Sequence, residues 1–331
     1  MKAGMNRRLA LIALLVTLIA AVGYFVTLEP RHDEQKVIAI VSLMSHPALD
    51  SVLEAVKTEL TEQGYVDGQN ARYITRNASG QIQLAATIAS EVSALRPDVT
   101  IAITTPMAQA VAKTIKTPFV FSAVTDPVGA GIVKSMDVGE DMVTGVSDAW
   151  PYEEQLKLIR KIGPGIKRLG VLYNPGEAAS QYGIKEIRRF SKEAGFEITE
   201  GAVNSTSEVY PVAQNLATSV DALFLSSDNT AIGGVAGAMR VAVDRKIGLF
   251  VGDSGTIAKG GVAAVSVGYS QLGRDTGKLA ARLLKGERNI PPVIAKGVDV
   301  YLNKKAAELI GIELPEDVVR SATKIYEDIS E

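Results

Sequence analysis

Short, apolar segments recur along this chain, and each is followed by a segment with the spacing of an amphipathic helix. The first pair consists of residues 37–41, an unbroken apolar run, and residues 47–63, where apolar side chains recur every three or four positions before Gly64. Strands that are apolar on both faces are typical of parallel sheets covered by helices. The alternation therefore predicts an α/β fold of doubly wound parallel sheets with right-handed crossovers.

The same alternation continues and then restarts. Strands are expected at residues 71–76, 99–103, 119–122 and 143–147, with helices at 81–95 and 107–113. The tetrapeptide Asp148-Ala149-Trp150-Pro151 breaks the pattern. A second run then alternates helices at 152–162, 180–194, 207–217 and 231–245 with strands at 168–173, 197–203, 222–225 and 249–251. Two such runs in 331 residues predict two similar lobes, with a first crossing near residues 146–150.

The N-terminal segment has the pattern of an export sequence. Lys2, Arg7 and Arg8 precede an apolar run at residues 9–28 that is long enough to cross a membrane. The tripeptide Ala21-Val22-Gly23 suits a cleavage site, although the apolar run continues past it. We interpret the segment as an uncleaved anchor or a cleaved signal, with a buried helix as the plain alternative. Export predicts a protein in the periplasm or on the outer face of the cytoplasmic membrane.

Composition argues against several functional classes. The 35 basic and 37 acidic residues are balanced, so no nucleic-acid partner is expected. The chain has no cysteine, which excludes disulfides, zinc–thiolate sites and cysteine nucleophiles. It lacks a glycine-rich dinucleotide motif after the first strand, a Walker motif and a Gly-x-Ser-x-Gly elbow, and it has only two histidines. We therefore expect a protein that is not an enzyme and needs no cofactor or metal.

Polar residues follow most of the predicted strands. The clearest junction is residues 120–131, where an apolar strand stops at Ser122 and leads through Asp126-Pro127 to two glycines. Ligands of open α/β sheets bind beyond the carboxyl ends of the strands. Similar junctions occur at residues 42–46, 104–106, 173–175, 226–230 and 252–254. We predict that these loops face one cleft between the two lobes.

Taken together, these junctions resemble a known family. The matching segments are His46-Pro47-Ala48-Leu49-Asp50, Thr105-Pro106-Met107-Ala108-Gln109-Ala110, residues 122–131, 143–148 and 170–175, Ser227-Asp228-Asn229-Thr230, Val251-Gly252-Asp253 and residues 269–277. Over residues 37–322 the chain is similar to substrate-binding proteins of bacterial ABC transporters with the type I periplasmic-binding fold, specifically to tryptophan- and tyrosine-type binders. Three features depart from that pattern: Ser254 replaces an acidic residue, Trp150 stands where smaller residues are usual, and the lipid-bearing cysteine is missing.

The resemblance implies two lobes joined by a three-segment hinge, with a small ligand enclosed when the lobes close. Later elements are expected at residues 262–267, 272–284, 299–302 and 304–309. Lobe 1 is then expected to contain residues 33–146 and about 268–298, and lobe 2 residues 147–267 and about 299–331. Residues 1–32 form the export segment and linker.

A zwitterionic ligand such as an amino acid would need two kinds of partner in this cleft. Hydroxyl groups and helix N-termini suit its carboxylate. Its ammonium needs an acidic partner, because an unpaired buried charge is costly. The candidates for the carboxylate are Thr104, Thr105, Ser122 and Thr125, and those for the ammonium are Asp228 and Asp253. Each aspartate has the alternative role of capping the helix that follows it.

Six further residues complete the predicted ligand site. Trp150 is either a stacking platform for the ligand or a core residue, and Tyr173 and Asn174 belong to an ordinary turn sequence. The remaining three follow strands at the predicted cleft, and they are Ser42, His46 and Asn229.

Two functions fit this sequence. The first is the extracytoplasmic solute-binding component of an ABC import system, which captures a small zwitterion, an aromatic or apolar amino acid by preference, and passes it to a permease with a cytoplasmic ATPase. The alternative is a membrane-anchored ligand sensor that signals occupancy to a partner protein. The N-terminal segment links either function to the membrane.

Overall fold

The computed structural model describes residues 35–329, and its first part is a parallel α/β unit. The strands of this unit are β1 (Lys36–Ser42), β2 (Ala71–Asn77), β3 (Val99–Ile103), β4 (Phe119–Val124) and β5 (Val143–Ser147). The helices between them are α1 (Pro47–Glu62), α2 (Ile82–Ala94) and α3 (Thr105–Thr114). Neighbouring strands pair in parallel in the order β5-β4-β3-β1-β2. The predicted elements of this part are confirmed to within two residues.

Alternate residues of β1 enter two different hydrophobic clusters. Ile38 and Ile40 pack in a cluster that includes Val52 of α1, whereas Ala39 and Val41 pack in a cluster that includes Ala85 of α2. Both faces of the strand are therefore covered by helices, which is why its sequence is continuously apolar. We call this unit, with the later elements that join its sheet, lobe 1.

The second part repeats the pattern around its own hydrophobic cluster. Its strands β6 (Arg168–Tyr173), β7 (Glu197–Ala202), β8 (Ala222–Leu225) and β9 (Gly248–Val251) pair in parallel in the order β7-β6-β8-β9. The helices are α4 (Tyr152–Ile162), α5 (Ala178–Ser191), α6 (Val209–Leu216), α7 (Asn229–Gly233), α8 (Val235–Arg245) and α9 (Ser254–Ile257), with a 3₁₀ turn at Thr206–Glu208. One apolar cluster extends from Trp150 to Val318. We call this unit lobe 2.

The last part of the chain returns to lobe 1 and then to lobe 2. It contains β10 (Ala263–Ser266), α10 (Tyr269–Leu284), β11 (Val293–Ile294), β12 (Asp299–Asn303), α11 (Lys304–Ile310), α12 (Glu316–Ser321) and β13 (Lys324–Tyr326). Helix α10 packs on α1, and β11 pairs with β5 as the sixth strand of that sheet. Strand β12 pairs with β10 and β13 in a separate sheet. The chain thus passes between the lobes at residues 147–152, 266–269 and 294–299, which confirms the three-segment hinge.

Some details differ from the sequence predictions. The helix predicted at residues 231–245 is divided at Gly234, where an added Cβ would lie 2.6 Å from the Cβ of Val209 on α6. Strands β10 and β12 are antiparallel, whereas purely parallel sheets were expected. The short elements α9, β11, α12 and β13 were not predicted. The exact lobe boundaries stay a prediction.

Between residues 35 and 329 no helix has both the length and the apolar content of a membrane span. The predicted export segment at residues 9–28 lies outside this described part of the chain.

Candidate ligand-binding site

A cavity, which we call the chamber, lies at the carboxyl ends of the strands of both lobes. The volume open to the centre of a water molecule inside it is about 40 Å³. Since one water needs roughly 10–15 Å³ by the same measure, this volume holds a few water molecules. The lining residues are Met44, His46, Ala48, Leu49, Thr104, Thr105, Ala123, Thr125, Asp148, Trp150, Ala179, Ser227, Asp228, Asn229, Ile232, Asp253 and Tyr269.

Eight of the twelve predicted site residues line this cavity, and four do not. The four are held elsewhere by local contacts. The Ser42 hydroxyl accepts a hydrogen bond from Asn77 on β2, and Ser122 bonds Thr276 on α10 at 2.8 Å. Asn174 donates to the Thr230 hydroxyl at 2.9 Å. Tyr173 ends β6 beside Glu200, whose strand β7 is the outer strand of that sheet. These four residues do not line the cavity, and a ligand-binding role for them stays a prediction.

Two lining residues have a backbone conformation that favours glycine. Thr104 follows β3 with φ of 85°, and Ala123 near the end of β4 has φ of 51°. The Thr104 side chain is 3% exposed, and its hydroxyl has no hydrogen-bond partner. Strained conformations and unpaired buried polar atoms both cost free energy, and they cluster at ligand sites. Thr104 thus lines the cavity and has a buried hydroxyl group without a hydrogen-bond partner.

Helix α3 begins directly after Thr104. Its first turn contains Thr105, Pro106 and Met107, all buried. The backbone N–H groups of a helix's first turn have no partner within the helix, and the helix dipole favours negative charge there. This end of the cavity therefore suits an anionic group.

Asp228 caps α7 instead of facing the cavity with free oxygens. One carboxylate oxygen accepts from the Ala231 amide at 2.6 Å. The other accepts from the Asn174 amide and the Ser180 hydroxyl. Burial, together with the negative charge of nearby Glu177, raises the pKa of Asp228 to about 7.

Asp253 has a similar role at α9. Its Oδ1 accepts from the amides of Gly255 and Thr256, each at 2.8 Å, and its Oδ2 accepts from the Thr256 hydroxyl. The His46 ring of lobe 1 lies 3.6 Å from Oδ1 and 3.2 Å from the Thr256 hydroxyl. Asp253 therefore combines a helix cap with a contact between the lobes.

Asp148, which the sequence analysis did not select, also lines the cavity. It follows β5 directly and is 5% exposed. Its two oxygens accept from the Thr125 hydroxyl at 3.0 Å and the Tyr269 hydroxyl at 3.2 Å. Burial raises the pKa of this carboxyl, and these hydrogen bonds only partly oppose the rise. Its position directly after a buried strand could have indicated a cavity residue, but the sequence pattern placed it in the break between the two lobes.

The contacts around Asp148 join both lobes and the hinge. The Trp150 indole donates to the Tyr269 hydroxyl at 3.2 Å, and the Thr125 hydroxyl lies 2.9 Å from that of Ser227 in lobe 2. The indole packs over Gly252, where any Cβ would overlap the ring. Trp150 is thus a buried hinge residue that also forms one wall of the cavity.

Acidic side chains outnumber basic ones in the lining. It contains the three carboxylates of Asp148, Asp228 and Asp253, one histidine, and no lysine or arginine. Apolar walls are supplied by Met44, Leu49 and Ile232. A ligand with both a positive group and an apolar part complements this chamber.

A two-lobed α/β protein that encloses a mixed polar and apolar chamber at its strand ends is, as a class, a binding protein for a small molecule. More specifically, the chain belongs to a family of ABC transporter substrate-binding proteins, since the family model described as "ABC transporter substrate binding protein" matches residues 37–326. Members of this family are extracytoplasmic and serve ABC transporters.

Individual relatives agree with this assignment. The chain is 30% identical over 283 residues to a tyrosine-binding protein of Clostridioides difficile, covering 85% of this chain and 82% of the relative. A Streptococcus pneumonia ABC domain in complex with L-Trp matches with a TM-score of 0.85 and 30% identity. The ligand-free, open structure of a substrate-binding protein with adhesive properties from Clostridium difficile matches with a TM-score of 0.66 and 29% identity. Both matches cover 88% of this chain and 99% of the other chain.

Proposed function

We propose that this protein captures an α-amino acid, with an aromatic or apolar side chain favoured, in the chamber between its lobes. The observation that carries the proposal is the chemistry of the chamber's lining. The lining includes Thr104 with its unpaired hydroxyl, the start of α3 and three acidic side chains, and it includes no lysine or arginine. Similarity to proteins described as binding tyrosine and L-Trp supports the same solute class.

In this proposal the carboxylate of the solute lies at the start of α3. The Thr104 hydroxyl and the backbone amides of Thr105 and Met107 donate to it, so that the negative charge is met without a basic side chain. Thr105 also lines the chamber and supplies a further hydroxyl group, whereas the Thr125 hydroxyl already donates to Asp148. The strain at Thr104 and Ala123 is then part of a site that is preorganised for the ligand.

The remaining predicted contacts surround the rest of the solute. His46, Trp150 and Asn229 are proposed to contact it, together with the apolar walls of Met44, Leu49 and Ile232. Aromatic and apolar side chains of a solute bury well against such walls.

The wider role that we propose is delivery. The protein would present its captured solute to a membrane permease driven by a cytoplasmic ATPase, while residues 9–28 export it and either anchor it or are removed. Closure of the lobes around the solute would distinguish the loaded from the empty protein.

A thermal-unfolding screen of the full-length protein against the twenty amino acids and a panel of sugars, short peptides and polyamines tests this proposal. A bound solute at 100 times its Kd should stabilise the protein by about 2.7 kcal/mol. We expect this stabilisation with an aromatic or apolar amino acid, and native mass spectrometry should show the same mass retained. Stabilisation by another solute class alone would refute the proposal.

A further inference from the structure

We propose that Asp148 is the residue that binds the ammonium group of the captured solute, whereas Asp228 and Asp253 are structural caps. This inference rests on the proposed function, because it assigns one end of the same zwitterion. It follows from a comparison of the hydrogen-bond donors that already contact the carboxylate oxygens of these three residues.

The oxygens of Asp228 and Asp253 are held by fixed donors. Asp228 accepts from two backbone amides, those of Asn174 and Ala231, and from one hydroxyl. Asp253 also accepts from two backbone amides and one hydroxyl, and it has the His46 ring beside it. Backbone amides cannot turn away when a ligand enters. If either carboxylate were used for the ligand, a cap at the start of a helix would be weakened.

Asp148 is held differently. Its hydrogen bonds from other residues come from side chains, namely the hydroxyl groups of Thr125 and Tyr269, and the Trp150 indole is also close enough to interact with the carboxylate. Hydroxyl groups rotate, and the Thr125 hydroxyl has a second partner in the Ser227 hydroxyl at 2.9 Å. The Tyr269 hydroxyl also accepts from the Trp150 indole. No lysine or arginine lines the cavity around this carboxylate. Asp148 thus has spare acceptor capacity, and the ammonium group of a ligand would be a partner for its buried carboxylate.

The spacing of the strands matches an amino acid. Thr104 follows β3 and Asp148 follows β5, with β4 between them. Two strand spacings separate these positions by about 9–10 Å. An ammonium and a carboxylate on one carbon, with a hydrogen bond at each end, span roughly 9 Å. The small Ala123 side chain on β4 lines the cavity between them. One zwitterion can therefore bridge Thr104 and Asp148 across the end of β4.

The test compares amino acids with analogues that lack only the ammonium group. Isothermal titration calorimetry on the full-length protein would use L-tyrosine and L-tryptophan beside the corresponding arylpropanoates. We expect the wild type to bind the amino acids at least about 100-fold more tightly than the analogues. Asp148→Asn should abolish most of that preference by weakening amino-acid binding, while its affinity for the analogues stays within about threefold.

Three variants serve as comparators. Asp228→Asn and Asp253→Asn remove the other cavity carboxylates and should weaken both ligand types by the same factor, because they disturb helix starts. Glu59→Gln removes a buried carboxylate that pairs with Arg274 outside the cavity and should change neither affinity. Melting temperatures would show that each variant is folded.

Several results would overturn the inference. If the Asp148→Asn variant kept the preference for amino acids, Asp148 would not bind the ammonium group. The same conclusion would follow if the variant lost affinity for both ligand types by the same factor. Loss of the preference in Asp228→Asn or Asp253→Asn would assign the ammonium to that carboxylate. A wild type that binds the arylpropanoates as tightly as the amino acids would overturn it without any variant. Failure of the wild type to bind any amino acid would refute the proposed function itself, and the inference with it.

Discussion

Thr104 and Thr100 share an unfavourable feature, a buried hydroxyl group that forms no hydrogen bond. Both hydroxyls are buried without a hydrogen-bond partner, but only Thr104 lines the cavity. In both positions valine would keep the shape and remove the unsatisfied group. We expect Thr104→Val to raise the free energy of unfolding of the ligand-free protein by about 1 kcal/mol and to weaken solute binding about tenfold. Thr100→Val should stabilise similarly with unchanged affinity. Urea unfolding and calorimetry measure the two quantities, and equal affinities for both variants would contradict a ligand role for Thr104.

Asp228 makes stability depend on pH in an unusual direction. Its folded pKa of about 7 exceeds the ordinary value of 3.8, so the folded protein binds the proton more tightly than the unfolded chain does. The free energy of unfolding contributed by this group therefore falls as pH rises from 4 to 7, by an amount on the order of a few kcal/mol. Asp228→Asn should remove this pH dependence.

Asp221 provides the matched control for that measurement. The Arg168 guanidinium beside it lowers the pKa of Asp221 to about 2, so its contribution to stability is present above pH 4 and is lost below it as the carboxyl protonates. Urea unfolding of both asparagine variants between pH 3 and 8 gives the difference in the free energy of unfolding between each variant and the wild type. We expect this difference to change with pH in opposite directions for the two variants. A change in the same direction would show that Asp228 has an ordinary pKa.

The aspartates also show what a sequence can reveal about a site. A strand followed by a polar residue places that residue at the cavity, and this rule selected Asp228 and Asp253 correctly as lining residues. It does not reveal how many donors already occupy a carboxylate, because these depend on distant residues such as Asn174 for Asp228. Asp148 was missed for a related reason. Its partner Tyr269 is 121 residues away and comes close only through the hinge.

Helices α9 and α10 both pack closely against the region of α1, and each does so at a glycine. An added Cβ at Gly255 of α9 would lie 2.8 Å from the Ala48 amide nitrogen and would overlap the His46 ring. This is a contact between lobes. Gly273 of α10 approaches the Val52 and Ala55 region of α1, within lobe 1. A glycine-to-alanine substitution at Gly255 therefore tests the contact between the lobes, and the same substitution at Gly273 tests packing within lobe 1.

We expect Gly255→Ala to weaken solute binding at least about tenfold, because α9 can no longer close against α1. Its effect on the unfolding of ligand-free protein should be small. Gly273→Ala should instead lower the free energy of unfolding by about 1–3 kcal/mol and leave the affinity of the folded protein nearly unchanged. Calorimetry and urea unfolding on both variants give the comparison. Tight binding by Gly255→Ala would mean that the α9 contact is dispensable for closure.

Elements were easiest to predict where the apolar pattern alone decides them. Strands β3, β5, β6 and β8 have the bounds expected from the sequence. The break between α7 and α8 was not predicted, because it depends on Val209 packing against Gly234 across lobe 2. Strand β11 has only two residues and is defined by its pairing with β5. Such elements exist through tertiary contacts that no local pattern contains.

The two lobes of this molecule are arranged as in a solved ligand complex rather than as in an open structure. Two solved structures have nearly equal sequence identity and coverage, yet the L-Trp complex matches with a TM-score of 0.85 and the ligand-free, open structure with 0.66. In this chain, direct hydrogen bonds already join the lobes, from Thr125 to Ser227 and from His46 to Thr256. The free energy of closure is therefore shared between these contacts and the solute.

Removing the direct contacts should shift the empty protein toward the open form. We expect the double variant His46→Ala, Ser227→Ala to have a larger radius of gyration than the wild type without solute, measured by small-angle X-ray scattering. With saturating solute the two proteins should converge. The Kd of the variant should rise, because the proposed contact of His46 with the solute is lost and part of the binding energy is then needed for closure. Ser205→Ala, which alters an exposed hydroxyl away from the cavity, should behave as the wild type. Scattering that is identical with and without solute in both proteins would exclude closure as the response to binding, and the chamber would then fill without movement of the lobes.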